Sequence, residues 1–424
     1  MQNMRKNSMD SLSITGGTRL DGTIRISGAK NAALPLQASC LMTDRPVQLD
    51  NMPALADTRL MADLLEHVGK QTSQNGDSWQ MSGKVGRLDA PYELVSQMRA
   101  SILVMGPLLA SHGEAQVSLP GGCAIGTRPV DLHIRAMQQL GAQVELADGY
   151  VKARAPKGLK GCEITFPFVS VGATENAMMA ACLAEGTTRL VNAAREPEIV
   201  DLATCLNQMG ARISGAGGDV ITVEGVTSMS GCRHQVVADR VEAGSYAIGA
   251  AMCGGTVRLS HIDPDLIASL TDKMVEAGVN ITTDTDSLTI DGDGRFQAVD
   301  VQTLPYPGFP TDLQAQFMAM MCLAEGRSTI YETIFENRYM HVPELVRMGA
   351  DIVVDGRRAV VTGKKALLAA PVMATDLRAS VSLVLAAMAT SGTTIIGNIY
   401  HLDRGYADLE KKLGDCGARM ERIN

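Results

Sequence analysis

The chain has 424 residues, a formal net charge of −8 and only 4% aromatic residues. This length exceeds what one hydrophobic core usually holds, so we predict two domains. The acidic balance argues against a general affinity for nucleic acid, which needs a basic face, and the few aromatic residues offer little stacking surface for bases. Nine cysteines without a CxxC pair indicate reduced thiols in a cytoplasmic protein. Because no apolar run reaches membrane-spanning length and no apolar segment follows the basic N-terminus, we expect neither membrane insertion nor export.

A glycine that ends a short amphipathic stretch and precedes a β-like segment recurs along the chain. The six positions, at spacings of 72, 69, 68, 71 and 68 residues, are Gly69, Gly141, Gly210, Gly278, Gly349 and Gly417. In the later repeats an Ala-rich helix, a strand, a second helix, the glycine and a further strand follow one another. We interpret the glycine as the C-cap of the second helix. The pattern predicts an α/β fold with mixed sheets, organised as compact subdomains with the Ala-rich helices buried.

The stretch from Leu119 to Pro129, LPGGCAIGTRP, places Cys123 among three glycines. Such a segment favours a loop whose backbone can approach a ligand closely, and it contains no second metal ligand. The alternative is a free cysteine packed in the core.

Arginines recur in the loop between the first strand and the second helix of several repeats. They are Arg128, Arg195, Arg338 and Arg404, eleven to fifteen residues before the repeat glycine. Loops of this kind can meet in a cleft, where guanidinium groups bind carboxylates and phosphates. The alternative for any one of them is a solvated charge or an ordinary salt bridge.

From about Met9 onward the chain resembles the UDP-N-acetylglucosamine 1-carboxyvinyltransferase family of enolpyruvyl transferases. Nine motifs carry the resemblance in order: SGAKNAALP at 28–36, MRAS at 98–101, LPGGCAIGTRPVDLH at 119–133, SVGAT at 170–174, NAAREPEIVDLA at 192–203, PGFPTDLQAQ at 307–316, ENRYMHVPEL at 336–345, ATDLRAS at 374–380 and HLDRGY at 401–406. The resemblance implies a two-domain inside-out α/β barrel, each domain being built from three repeats of about 70 residues. Residues 1–29 and 238–424 would form one domain, and residues 30–237 the other, with the Cys123 loop. Two crossings at one place imply a hinge and closure over substrate.

The reaction implied is transfer of the enolpyruvyl group of phosphoenolpyruvate to the 3′-hydroxyl of UDP-N-acetylglucosamine, with release of phosphate. This is the first committed step of peptidoglycan precursor synthesis, a cytoplasmic step on which the cell wall, cell shape and cell division depend. The implied partners are the two substrates, with no cofactor, metal, nucleic acid or membrane. A monomer and a weak homo-oligomer remain open.

The resemblance also assigns roles to residues, of which Cys123, Asp312, Lys30 and Arg404 are the catalytic ones. Cys123 would deliver a proton to C3 of phosphoenolpyruvate, and Asp312 would be the base facing the 3′-hydroxyl, with Asp376 as a second carboxylate near the reacting centre. The cationic groups are Lys30, Arg128 and Arg404 around the phosphate, Arg338 and Arg378 at the carboxylate, and Arg99 in the same lining. The sugar-nucleotide contacts are Asn31, Arg128, Pro129, Val130, Asp131, Leu132, Ser170, Val171, Gly172 and Ile334. His133 and Glu196 would support the cleft.

Simpler roles and other functions compete with these assignments. Asp312 and Asp376 also suit helix N-caps, and His133 suits a structural histidine with its hydrogen bonds satisfied. Some relatives carry a lysine at the position of Phe168, and the residues before Met9 lie outside the resemblance, so that Met9 could be the start. The alternatives for the whole chain are a 5-enolpyruvylshikimate-3-phosphate synthase-like transferase, a catalytically silent UDP-sugar-binding paralogue and a nucleotide-binding module. The last would usually show a Walker or Rossmann glycine pattern, and the sequence has neither.

Overall fold

The structure, a computed structural model, describes residues 10–119 and 130–423. The described residues form two compact units, each with its own hydrophobic core. Unit 1 contains residues 10–27 and 238–423, and unit 2 contains residues 28–119 and 130–237. Both units mix helices and strands, which confirms the predicted two-domain α/β class. In the described part of the chain, no helix combines the length and the apolar character needed to cross a membrane.

Short strands recur along the whole described chain. In chain order the described strands are β1 (Ser11–Gly16), β2 (Gly22–Arg25), β3 (Val47–Asp50), β4 (Gln71–Asn75), β5 (Ser78–Ser82), β6 (Asp89–Ala90), β7 (Glu114–Ser118), β8 (Gln143–Ala147), β9 (Tyr150–Arg154), β10 (Glu163–Thr165), β11 (Thr187–Val191), β12 (Arg212–Ser214), β13 (Val220–Glu224), β14 (Arg233–Gln235), β15 (Gly255–Ser260), β16 (Asn280–Asp284), β17 (Ser287–Gly292), β18 (Val301–Gln302), β19 (Arg327–Tyr331), β20 (Asp351–Asp355), β21 (Arg358–Thr362), β22 (Val372–Met373), β23 (Gly392–Gly397) and β24 (Arg419–Ile423).

The helices alternate with these strands. The described α-helices are α1 (Lys30–Ser39), α2 (Ala56–His67), α3 (Tyr92–Val95), α4 (Met105–His112), α5 (Asp131–Gln139), α6 (Val171–Ala181), α7 (Pro197–Gln208), α8 (Arg240–Cys253), α9 (Ala268–Glu276), α10 (Gln314–Met321), α11 (Val342–Arg347), α12 (Leu377–Ala389), α13 (Tyr400–Asp403) and α14 (Leu409–Gly414). Short 3₁₀ helices are Cys40–Met42, Arg99–Val104, Pro264–Ile267 and Thr311–Leu313.

The described strands form six separate four-stranded sheets with one common pattern. In each sheet one edge strand runs parallel to its neighbour and the other two neighbouring pairs are antiparallel, as the predicted mixed sheets require. The strand orders are β14-β3-β5-β4, β6-β7-β9-β8 and β10-β11-β13-β12 in unit 2, and β16-β17-β15-β2, β18-β19-β21-β20 and β22-β23-β1-β24 in unit 1. The six glycine repeats therefore correspond to six copies of one sheet.

The N-terminal strand β1 completes the last of these sheets. It lies between β23 and β24, so that Ile14 pairs with Thr394 on one side and with Met420 on the other. The sixth repeat thus takes its central strand from the opposite end of the chain.

The repeat glycines end the outer helices, as predicted. All six have φ between +86° and +108°, a region that favours glycine. The residue after the glycine donates its N–H to the carbonyl five positions earlier, as Ala211 does to Leu206 at 2.9 Å. This is the Schellman arrangement, which satisfies the last carbonyls of a helix.

Three inner helices in each unit form its centre. They are α1, α4 and α6 in unit 2 and α8, α10 and α12 in unit 1, and most of their residues are buried, as predicted. Small residues permit the close approach, because a Cβ on Gly106 would lie 2.3 Å from the Asn176 side chain. The sheets and the outer helices surround these three helices.

We predict that Gly278→Ala lowers the free energy of unfolding by about 1–2 kcal/mol, because its φ of +95° strains any residue with a Cβ although space is open around it. Urea unfolding measures the change. Gly414→Ala is the matched control, since this glycine lies in α14, also has open space around it, and should gain between zero and about 1 kcal/mol from helix propensity. Equal effects of the two substitutions would contradict the assignment of the repeat glycine to a left-handed cap.

Candidate active site

A carboxylate held between two guanidinium groups is the main polar feature of unit 1. Asp312 lies in the 3₁₀ turn that leads into α10. Its Oδ1 atom lies 2.6 Å from Nη2 of Arg338, and its Oδ2 atom lies 2.9 Å from Nη2 of Arg378. The partners are 26 and 66 residues away in sequence, in the loop after β19 and in the first turn of α12. The fold therefore brings together three residues that the sequence had singled out separately.

Both arginines of this cluster are almost fully buried, with 4% and 5% of their surfaces exposed. Burial lowers the pKa of Arg378, but the charge and hydrogen bond of Asp312, together with Tyr406 and Asp239, raise it, so that the net shift is upward. Arg378 therefore stays charged in a setting where an uncompensated guanidinium would be costly. A guanidinium has five N–H donors, so the pair retains donors for a second carboxylate.

A hydrogen-bonded group behind Arg378 fixes its direction. Nη1 of Arg378 donates to the Tyr406 hydroxyl at 3.4 Å, and the guanidinium lies 5.9 Å from the centre of that ring. The Tyr406 hydroxyl also lies 2.8 Å from Oγ of Ser245 and accepts from Nε2 of Gln316 at 3.3 Å. Burial raises the pKa of Tyr406, so the phenol stays protonated. A fixed guanidinium can bind a planar anion at little entropic cost.

The two aspartates expected near the reacting centre differ in their local roles. Asp376 is the N-cap of α12 and accepts from the N–H groups of Arg378 at 2.8 Å and Ala379 at 3.1 Å. The capping alternative is thus confirmed for Asp376. It is wrong for Asp312, because neither the 3₁₀ turn nor α10 has a side-chain cap. The Asp312 carboxylate instead accepts hydrogen bonds from Arg338 and Arg378.

Arg404 follows α13 and is partly buried. Burial lowers the pKa of the neighbouring His401, and the positive charge of Arg404 lowers it further, while Asp376 acts in the opposite direction. These three groups therefore lie close enough to interact, and His401 is neutral near pH 7. Arg338, Arg378 and Arg404 all belong to unit 1, together with Asp312.

Sequence reasoning missed Glu332, which directly follows β19 and is buried in the same unit. Its carboxylate accepts from the N–H of Ile334 at 2.8 Å, and Ile334 was expected to contact the sugar nucleotide. The only signal in the sequence was an acidic residue in the middle of the mostly apolar stretch from Ile330 to Phe335.

In unit 2, Lys30 is the first residue of α1 and is followed by Asn31. Its Nζ atom lies 3.3 Å from Oδ2 of Asp57, a buried carboxylate of α2. The ammonium group is thereby held at the start of a buried helix.

The N-terminus of α6 forms a second part of the candidate site in unit 2. Ser170 is its N-cap and accepts from the N–H of Ala173 at 3.4 Å. Val171 and Gly172 are the first two helical residues, and such N–H groups have no partner within their own helix. This end of the helix suits an anion. Phe168, two residues earlier, has an exposed side chain.

The ring of His133 lies against this helix end, since a Cβ on Gly172 would be 3.2 Å from its Cε1 atom. The amide of Asn176 fixes its tautomer. Oδ1 of Asn176 accepts from the N–H of Gly106 at 2.7 Å, so Nδ2 must donate to Nδ1 of His133 at 3.1 Å. His133 therefore carries its proton on Nε2. Burial lowers the pKa of His133 to about 4, and the charge of Arg99 contributes, which supports the structural alternative for this residue.

The remaining expected residues fall into three groups. Arg99 begins a 3₁₀ helix, Val130 and Asp131 begin α5, and Leu132 is buried in its first turn. Glu196 is the N-cap residue of α7, and one of its carboxylate oxygens accepts from the N–H of Arg195. Arg195 forms a surface ion pair with Asp219. In the third repeat, therefore, the recurring arginine takes part in an ordinary salt bridge. Cys123, Arg128 and Pro129 lie outside the described residues.

Within residues 10–119 and 130–423, no group of three or more histidine, cysteine, aspartate or glutamate side chains is arranged to hold a metal ion.

Known proteins resemble this chain over nearly its full length. The family described as EPSP synthase (3-phosphoshikimate 1-carboxyvinyltransferase) matches residues 14–413. The UDP-N-acetylglucosamine 1-carboxyvinyltransferase of Caulobacter sp. (strain K31) is 55% identical over 421 residues, covering 98% of each chain. The crystal structure of the enolpyruvyl transferase NikO from Streptomyces tendae superposes with a TM-score of 0.89 at 25% identity, covering 98% of this chain and 99% of that one. EPSP synthase from Acinetobacter baumannii shares the fold, with a TM-score of 0.76 at 16% identity over 98% of this chain and all of the other.

The buried histidines predict how stability depends on pH. Burial lowers the pKa of His341 to about 4, as it does for His133, whereas a histidine in an unfolded chain titrates near ~6.5. Between these values the unfolded chain binds protons that the native state does not, so stability falls as the pH drops from about 6.5 towards 4. We expect the free energy of unfolding, measured in urea, to fall less between pH 7 and pH 5 for His341→Gln than for wild type. His261→Gln, at an exposed histidine, should behave as wild type, and an unchanged pH response of His341→Gln would contradict the assignment.

Proposed function

Because the chain belongs to the family of UDP-N-acetylglucosamine 1-carboxyvinyltransferases, we propose that it transfers the enolpyruvyl group of phosphoenolpyruvate to the 3′-hydroxyl of UDP-N-acetylglucosamine and releases phosphate. The observation that carries this proposal is the Asp312 carboxylate held by the two buried arginines Arg338 and Arg378. A carboxylate-binding pair beside a proton acceptor is what the addition of an alcohol to phosphoenolpyruvate requires.

The proposed addition forms a bond between the 3′-oxygen and C2 of phosphoenolpyruvate while the double bond takes up a proton at C3. Asp312 accepts the proton of the 3′-hydroxyl, and Cys123 supplies the proton at C3. The reverse proton loss from C3 then expels phosphate and restores the double bond. Lys30, Arg128 and Arg404 offset the charge of the phosphate group, with Arg99 in the same lining.

The ion pairs of Asp312 suggest how its basicity is controlled. A carboxylate that accepts from two guanidinium groups is a weak proton acceptor, because both hydrogen bonds favour its ionised form. If the carboxylate of phosphoenolpyruvate takes over donors of Arg338 and Arg378, Asp312 loses part of that stabilisation and becomes a stronger proton acceptor. Substrate binding itself would then prepare the base.

For the sugar nucleotide, we propose contacts with Asn31, with residues 128–132, with residues 170–172 and with Ile334. The first turn of α6 supports this assignment, since a helix N-terminus binds the negative charge of a diphosphate. Asp376 keeps α12 and therefore Arg378 in place, whatever further part it takes in the reaction.

The proposal extends to the role of the reaction in the cell. Enolpyruvyl transfer to UDP-N-acetylglucosamine would place the protein at the first committed step of peptidoglycan synthesis in the cytoplasm, on which cell shape and division depend. Arginines can supply the positive charge that metal ions supply in other phosphoryl chemistry, so we propose a reaction without metal or organic cofactor.

Shikimate 3-phosphate is the competing acceptor, because EPSP synthase shares the fold. Phosphate release from phosphoenolpyruvate, measured with each acceptor in turn, separates the two functions. Turnover with UDP-N-acetylglucosamine alone is expected, and turnover with shikimate 3-phosphate alone would overturn the proposal.

We predict that Asp312→Asn lowers turnover by ~10²–10⁴-fold, since it keeps the shape of the side chain but removes the proton acceptor. Steady-state phosphate release measures the loss, and calorimetry should still detect binding of UDP-N-acetylglucosamine. Asp351→Asn is the control, because this residue forms an exposed ion pair with Lys364 in the same unit. Near-normal turnover of Asp312→Asn would exclude it as the base.

We predict that the epoxide phosphonate fosfomycin inactivates the protein at Cys123. The thiolate forms an S–C bond to an epoxide carbon, the C–O bond breaks, and the alkoxide takes up a proton. Inactivation should be faster with UDP-N-acetylglucosamine present. Cys123→Asp should retain substantial turnover and resist the drug, because a carboxylic acid carries a proton without attacking the epoxide, whereas Cys123→Ser should lose most turnover.

Mass spectrometry locates the adduct. An adduct on another thiol, for example the partly exposed Cys162, or normal turnover of the serine variant, would remove Cys123 from the proposed mechanism.

A further inference from the structure

Glu332 is a buried carboxylate that the proposed mechanism does not use. Only 1% of its surface is exposed. It directly follows β19 and precedes the loop that carries Ile334 and Arg338. Burying a carboxylate is costly unless its oxygens accept hydrogen bonds, so the partners of Glu332 indicate what it holds in place.

Four hydrogen bonds to Glu332 connect separate parts of unit 1. Oε1 accepts from the N–H groups of Ile334 at 2.8 Å and Phe335 at 3.1 Å, and from Oγ1 of Thr303 at 2.9 Å. Oε2 accepts from Oγ1 of Thr311 at 2.9 Å. Three of these bonds end on Oε1, so Oε2 keeps an acceptor position beside its bond to Thr311.

Other repeats show what this position does when it has only a structural role. Directly after the first strand, three repeats have an asparagine with positive φ, namely Asn51, Asn192 and Asn398. Each donates its side-chain N–H to the carbonyl that follows the neighbouring parallel strand, at 2.9, 2.9 and 3.0 Å. At Glu332 the backbone is not left-handed, and the side chain accepts where the asparagines donate. The fifth repeat thus keeps a connection to the residue after the neighbouring parallel strand, Thr303, and adds a second connection to Thr311.

We propose that Glu332 is a positioning residue for the transfer reaction, an inference that rests on the proposed function. Through Thr311 it holds the turn in which Asp312 lies, and through its own loop it holds the backbone of Ile334. Because the N–H of Ile334 is bound to Glu332, this residue offers a ligand its carbonyl oxygen and side chain. One carboxylate therefore sets the distance between the base and the segment that contacts the nucleotide.

The test compares kcat and the two KM values of wild type, Glu332→Gln, Thr311→Val and Thr311→Ser. Glu332→Gln keeps the volume but removes the charge and one acceptor position, so kcat/KM for UDP-N-acetylglucosamine should fall between ~10- and 10²-fold, the loss expected from a small displacement of reacting groups. KM for phosphoenolpyruvate should change less than threefold, about 0.7 kcal/mol on the scale of 1.4 kcal/mol per factor of ten.

Thr311→Val keeps the shape and loses the hydroxyl, so kcat should fall while KM for the nucleotide stays constant. Thr311→Ser retains the hydroxyl and should restore turnover.

Glu344→Gln is the control, because this carboxylate of the same unit also accepts a backbone N–H, that of Met373 at 3.0 Å. Its kinetics should equal those of wild type. Unchanged kinetics of Glu332→Gln in an active enzyme would overturn the inference, and so would a lowered melting temperature with kcat and both KM values per folded enzyme unaltered. A wild-type protein without turnover on UDP-N-acetylglucosamine would overturn the proposed function and this inference with it.

Discussion

Burial of the inner helices is the constraint on which the rest of each unit depends. A helix that is surrounded by protein must be apolar along most of its length, so charged side chains are restricted to its ends. The described inner helices follow this rule except at Glu175, a buried carboxylate inside α6. Each has a polar group at its start: Lys30 at α1, Arg99 at the 3₁₀ turn before α4, Ser170 at α6, Asp239 at α8, Asp312 at the turn before α10 and Asp376 at α12. The candidate residues in this list therefore lie at helix starts, where backbone N–H groups favour anions.

The same constraint explains why the polar groups form networks. Arg378 could not be buried at the start of α12 without the charge of Asp312, and the Asp312 turn needs its own support from the loop after β19. Each charged group compensates another, so the geometry is fixed before any substrate binds. A site built in this way is preorganised for anionic substrates and sensitive to changes in any single member.

The repeat glycines made the fold predictable from the sequence, because a helix end followed by a strand depends on local residues. The central position of β1 in the last sheet was not predictable, since no local pattern links residue 14 to residue 394. The family motifs identified Asp312, Arg338 and Arg378 singly, but their mutual ion pairs span 26 and 66 residues and depend on the folded chain. Glu332 belongs to none of the motifs, and its role became visible only from its four partners.

The place of β1 also affects how the protein is made. Unit 2 is contiguous apart from the undescribed residues 120–129, whereas the last sheet of unit 1 needs residues 11–16 and strands that begin at Gly392. At ~5–20 residues per second, the ribosome needs roughly 20–75 s to add the intervening residues. During that time the first strand has neither of its antiparallel neighbours, and it becomes the middle of a sheet only when translation is almost finished. Completion of unit 1 is therefore a late event in synthesis, even though its first strand is the earliest part of the structure to leave the ribosome.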